Sequence, residues 1–272
     1  PERVREAFRT LASHGYNPVR IFFDTCGSGP TCIGNPNGIG LNPAYLDNMV
    51  DLMHIAGEEG IYVIFTANSV PEEGGYWTYF DQQINQSDQR FGFSDFRNAD
   101  WLHPAGLEIK RRFWRDLMAG MVAREAPFEV ILGWQLTNEL WLFKEAPPLS
   151  LEEGLVTVSN EQTYDMSDPE QKRQMVIDGV ELYMEEIVAI IKEHDPEALT
   201  TVGFFAPQFP NETEIGGNWY VDTAPLLRPD AAVDFWDFHA YYDNDIWVDA
   251  MAENFGMLGY ADKPILMGET GS

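Results

Sequence analysis

The chain has 272 residues, and 17 Lys and Arg against 44 Asp and Glu leave a formal net charge of −27. A hydrophobic share of 44% supports a sizeable core, which excludes a disordered chain. So negative a surface repels phosphate backbones and anionic lipid heads, and no apolar run approaches the ~18 residues of a membrane span, so nucleic-acid and membrane partners are not expected.

The opening residues read as an amphipathic helix over 2–13 and not as an export signal. A strand follows over 18–23, and then a Gly/Pro-rich loop holding Cys26 and Cys32. These two either form a disulfide, which implies an oxidising compartment, or remain reduced thiols. Their spacing and the lack of a nearby His pair do not suit zinc. Helical spacing of Leu46, Met49, Val50, Met53 and Ile55 predicts a helix over 43–59. A strand over 61–66 leads into a long aromatic loop and a helix over 105–124. The pattern continues with a strand over 130–136, a helix over 169–193, a strand over 199–205 and a short helical segment over 222–227. A strand over 233–238, a helix over 246–258 and a strand over 264–268 complete it.

Six strands thus alternate with helices, without a linker or repeat, and residues 1–272 read as one domain. Such alternation requires parallel strands joined by helical crossovers, in a doubly wound sheet or a (β/α)8 TIM barrel. The loop after the first strand breaks the Gly-x-Gly-x-x-Gly pattern of a dinucleotide site, and the P-loop and the Gly-x-Ser-x-Gly elbow are absent. A barrel remains, and its chemistry would gather where the strands end. Those positions carry Arg20 and Asp24, Asn68, Asn138 and Glu139, His239 and Tyr241, and Glu269. Asn-Glu and Gly-Glu also occur in polar stretches such as Asn160-Glu161 and Gly57-Glu58, so the dipeptides alone say little. Glu139 differs in having Trp134, Leu136, Leu140 and Trp141 around it in sequence. An apolar wall there would favour the protonated carboxyl that a general acid needs. His14, His54 and His194 fall on helices and read as structural.

Gly133-Trp-Gln-Leu-Thr-Asn-Glu-Leu-Trp141, His239-Ala-Tyr241 and Leu266-Met-Gly-Glu-Thr-Gly271 resemble the retaining glycoside hydrolases of clan A, most closely family 5. The resemblance implies a (β/α)8 barrel of which this chain holds strands 2 to 7, the first and last strands falling outside it. It implies Glu139 as acid/base at the end of strand 4 and Glu269 as nucleophile at the end of strand 7. Arg20 would steady the nucleophile, Asn138 would bind the sugar 2-hydroxyl, and Tyr241 would lie beside the nucleophile with His239 two residues before it. Ala67-Asn68 departs from the family, which has a His there. Retaining hydrolysis needs one carboxylate to attack and one carboxylic acid to protonate the leaving oxygen. It needs no cofactor and no metal.

Flat aromatic side chains suit the apolar faces of sugars, and Trp77, Trp141 and Trp247 are the expected contacts. The expected partner is therefore a neutral oligo- or polysaccharide, a β-1,4-glucan or mannan, and the resemblance together with a Cys26–Cys32 disulfide would place the protein outside the cell. An exo-acting β-glycosidase and a non-catalytic carbohydrate-binding relic of the same fold are the rival readings. Asn85-Gln-Ser87 and Asn211-Glu-Thr213 match the glycosylation sequon.

Overall fold

The structure, a computed structural model, describes residues 1–24, 29–87, 96–208, 210–211, 214–241 and 247–271. Its chain divides into two compact units. The first comprises Pro1–Thr78, Lys110–Asn138 and Ile187–Thr201, and the second Tyr79–Ile109, Glu139–Glu186 and Val202–Ser272.

In the first unit, α1 (Glu2–Ser13) precedes β1 (Pro18–Phe22), α2 (Pro43–Glu58) and β2 (Tyr62–Thr66). Asn42 starts α2 by accepting the Ala44 N–H at 3.1 Å, and Pro43 occupies a first-turn position where its missing N–H costs nothing. The predicted apolar stripe is the buried one, including Leu46, Met49, Val50, Met53 and Ile55. The long loop after β2 holds two helices that its polar, aromatic sequence hid, α3 (Tyr76–Ser87) and α4 (Phe96–Leu102), both ahead of α5 (Pro104–Val122). Then come β3 (Ile131–Gln135) of the first unit, the short antiparallel strands β4 (Leu142–Phe143), β5 (Leu155–Thr157) and β6 (Thr163–Asp165) of the second, and α6 (Pro169–His194), whose residues are divided between the two. The predicted strand over 199–205 forms as two pieces, β7 (Thr200–Thr201) and β8 (Gly203–Phe204).

The first unit's sheet has the order β1-β2-β3-β7, and all of its pairs are parallel. Alternation along the strands divides its side chains between two faces. One face carries Phe65 and Trp134, which pack with Phe23 and with Phe113 and Trp114 of α5; the ring centroids of Phe65 and Trp134 are 5.4 Å apart. The other carries Arg20, Thr66 and Gln135, and Gln135 Oε1 accepts hydrogen bonds from Arg20 Nε at 2.7 Å and Thr66 Oγ1 at 2.8 Å. Cys32 is fully buried and disulfide-bonded. Cys26 lies outside the described residues, as does the Glu212-Thr213 part of the second sequon.

The second unit holds β9 (Trp219–Tyr220), which pairs antiparallel with β4, then β10 (Trp236–Tyr241), α7 (Val248–Asn254) and β11 (Ile265–Gly271). Its larger sheet is parallel, with the order β11-β10-β8. The segment expected to be helical over 222–227 is a single 3-10 turn, Ala224–Leu226. The last two strands run further than the sequence suggested, so His239, Tyr241 and Glu269 sit inside β10 and β11 and not beyond their ends. A polar side chain on one face of a strand leaves its backbone free to pair, and an apolar-run criterion stops too early there.

Candidate active site

The chemistry-bearing side chains of the second unit converge on β10. Trp236, Phe238 and Ala240 face one way and are buried, with Phe238 5.5 Å from the Phe255 ring just after α7. Asp237, His239 and Tyr241 face the other way, as a period of two requires. Glu269 joins them from β11. Tyr241 donates its hydroxyl hydrogen to Glu269 Oε1, and His239 Nδ1 lies 3.7 Å from Glu269 Oε2. The same Nδ1 is 2.8 Å from Glu139 Oε1. His239 is fully buried, whereas the Glu139 and Glu269 side chains keep 25% and 32% of their exposure, so both carboxylates remain reachable from solvent.

Glu139 is held by its own backbone surroundings, since the next residue, Leu140, donates its N–H to Gly203 O of β8 at 2.9 Å. Of the four apolar residues expected around Glu139, Leu136 and Leu140 are buried. Trp134 belongs to the aromatic cluster of the first unit, on the sheet face opposite Gln135, and what meets the Glu139 carboxylate is a histidine nitrogen.

Arg20 and Asn138 lie in the first unit, where Arg20 donates to Asn138 Oδ1 and its guanidinium stands 4.8 Å from the Phe22 ring centre. Gln135, which anchors Arg20, was not singled out from the sequence; its burial among apolar strand residues was the available signal. Asp24 is also buried, and its carboxylate accepts the Asn68 and Ser69 N–H groups at 2.7 to 2.9 Å. Burial pushes its pKa up to about 7 despite those bonds. Asp24 and Asn68 thus tie two strand ends together.

Of the three tryptophans expected to meet sugar, Trp77 is half-buried and donates its indole N–H to Val70 O at 2.8 Å. Trp141 stacks on Trp219 with ring centroids 4.6 Å apart, and the Arg97 guanidinium sits 3.5 Å from the centre of the same ring. Two groups so close cannot share a face, so both faces of Trp141 are covered, and Phe143 packs T-shaped on the same ring at 4.7 Å, which leaves a ligand no more than part of its edge. Trp247 is 81% exposed.

Glu139, His239 and Glu269 offer ligand atoms all within 4.8 Å of one another, and they are the one group among the described residues with donors suited to a metal ion. No helix of the described residues is long and apolar enough to cross a membrane.

Solved structures share the fold over essentially the whole chain. An endo-1,4-β-mannanase from Rhizomucor miehei matches with a TM-score of 0.63 at 19% identity, covering 100% of this chain and 73% of its own. An endo-β-1,4-mannanase from Thermotoga petrophila matches at 0.61 and 19%, covering 98% and 57%. An exo-β-1,4-mannosidase from Opitutaceae bacterium strain TAV5 matches at 0.56 and 18%, covering 100% and 42%. The fold is the (β/α)8 barrel. The chain spans about two-fifths to three-quarters of the length of the enzymes it matches. No protein-family model matches the chain, and no curated protein does.

Proposed function

We propose that this chain is the catalytic part of a retaining β-glycoside hydrolase resembling family 5, with Glu139 as acid/base and Glu269 as nucleophile. The observation that carries the reading is the approach of these two carboxylates to the same nitrogen of His239, with oxygens within 4.8 Å. Retaining enzymes hold their pair about 5–5.5 Å apart, whereas inverting enzymes leave ~6.5–9.5 Å for a water.

Glu269 Oε1 accepts from Tyr241, which leaves Oε2 to attack the anomeric carbon. The glycosidic C–O bond breaks as Glu139 gives its proton to the departing oxygen. A water then loses a proton to Glu139 and attacks the same carbon, the ester bond to Glu269 breaks, and the sugar leaves with its configuration retained. Arg20 and Asn138 would steady the nucleophile and bind the sugar 2-hydroxyl. Trp247, Trp77 and the edge of Trp141 are the proposed sugar contacts.

The substrate is a neutral β-1,4-linked polymer, with mannan first because the three similar structures are by name a mannosidase and two mannanases, and glucan second. A net charge of −27 favours an uncharged substrate over a polyanion. The disulfide at Cys32 favours an oxidising compartment and hence secretion.

Glu139→Gln and Glu269→Gln should each lower turnover of mannan or β-glucan by roughly 10²- to 10⁴-fold while circular dichroism stays unchanged. Near-parental rates in both variants would overturn the assignment. Polymer set against aryl-monosaccharide substrates separates endo from exo action, and calorimetric binding of oligosaccharide without cleavage would point to the binding relic.

A further inference from the structure

β11 contains an irregularity that decides where Glu269 points. In the ladder with β10, Met267 pairs with Phe238, but the next partner, His239, pairs with Glu269, so Gly268 is an extra residue. The exposure alternation along β11 slips at this point: Ile265, Met267 and Thr270 are exposed, whereas Leu266, Gly268, Glu269 and Gly271 are half-buried. An extra residue on one strand re-aims every side chain beyond it. In an unbroken ladder Gly268 would pair with His239 and Glu269 with Ala240, on the face turned away from Tyr241. The bulge is what brings Glu269 onto the face of His239 and Tyr241.

One side chain holds the bulge. Asp237 is fully buried, and its Oδ1 accepts the Gly268 N–H at 2.6 Å, satisfying an amide that the irregular ladder would otherwise leave unpaired. A Cβ at Gly268 would stand 2.4 Å from both Asp237 oxygens, so any other residue there must displace that carboxylate. Asp237 Oδ2 is also 3.5 Å from His239 Nε2, so the same carboxylate lies behind both halves of the candidate site. Nothing in the sequence marked Asp237 as more than one polar residue in a mostly apolar strand.

We propose that Asp237 is a positioning residue for the nucleophile, clamping the Gly268 bulge so that Glu269 stays aimed at the anomeric carbon. The proposal rests on the reading of Glu269 as nucleophile. Its test uses 2,4-dinitrophenyl β-glycosides of mannose and cellobiose, whose leaving group needs no proton, beside unactivated manno- and cello-oligosaccharides. Read in kcat/KM, which reports the first bond-breaking step and not the later role of Glu139 as base, a group acting through Glu269 slows both kinds of substrate, whereas one acting through His239 on Glu139 slows the unactivated kind alone.

Asp237→Ala should lower kcat about 100-fold on both kinds with KM changed less than about threefold, the size expected for a nucleophile displaced by about 1 Å. Asp237→Asn, which keeps an acceptor for Gly268, should lose less than about tenfold. Gly268→Ala should match Asp237→Ala, and the double variant should be no slower than the worse single one, because both break the same contact. A folded Asp237→Ala with parental kcat, or a loss confined to unactivated substrates, overturns the proposal. If Asp237→Ala fails to fold, Gly268→Ala decides, and parental kcat in it has the same force. Glu269→Gln is measured in parallel. If it is as fast as the parent, or the parent cleaves none of these glycosides, the nucleophile reading falls and this proposal with it; if it is inactive while Asp237→Ala keeps the parental rate, this proposal falls alone.

Discussion

Asp24 gives the chain a pH dependence of stability with a sign opposite to that of an ion-paired carboxylate such as Glu59. Three per cent exposed at the end of β1, it receives two backbone N–H groups, yet burial dominates and raises its pKa from 3.8 to about 7. The unfolded chain releases this proton near pH 4, whereas the folded protein holds it to about pH 7. Between those values the folded state binds more protons, so stability falls as pH rises and levels off above pH 7. Three units correspond to about 4 kcal/mol. Asp24→Asn removes the titration while keeping one acceptor for Asn68 or Ser69. The difference in unfolding free energy between variant and parent should therefore move by about 4 kcal/mol in favour of the variant from pH 4 to pH 7. Urea unfolding of both proteins at half-unit pH intervals measures it, and the other carboxylates cancel in the difference. A difference constant to about 0.5 kcal/mol across that range would refute the reasoning.

His103, whose Nδ1 accepts the Ala105 N–H at the start of α5, works in the opposite sense. Burial lowers its pKa to about 4, so the unfolded chain binds the extra proton between pH 4 and 6.5, and the parent should lose about 3 kcal/mol as pH falls through that window. His103→Gln should flatten the loss, and an unchanged slope in the same urea series would count against it. Trp134→Ala should cost about 3–5 kcal/mol, read from the denaturation midpoint, because the ring is fully buried against Phe23, Phe65 and Trp114; a cost below about 1 kcal/mol would mean that the cluster repacks. Dialysis against EDTA should leave glycoside cleavage intact. A loss restored by zinc or manganese would instead make Glu139, His239 and Glu269 metal ligands.

The alternation of strands and helices was legible because each obeys a local period: the stripe from Leu46 to Ile55 is the buried face of α2, and the apolar run ending at Gln135 is a strand. Glu139, Glu269, His239 and Tyr241 were legible as motifs at strand ends, and the structure brings both carboxylates to His239 and Tyr241 to Glu269. Less legible were α3 and α4, since a loop-like aromatic sequence folds into helices only when tertiary burial of residues such as Phe80, Ala99 and Leu102 stabilises them. Trp141 was chosen as a sugar platform for its type, and its availability depended on Arg97 and Trp219, more than forty positions away on either side.

Composition and residue type thus determined, before any folding, that the chain is acidic, apolar enough for a core, and supplied with two carboxylates in a glycosidase-like context. Tertiary structure decided which way those carboxylates face. The period of two would have turned Glu269 away from His239, and only the pairing of β11 with β10, with Gly268 as an added residue against the Asp237 carboxylate, turns it back. A register shift arises from hydrogen bonding between two strands, so neither strand's sequence contains it alone.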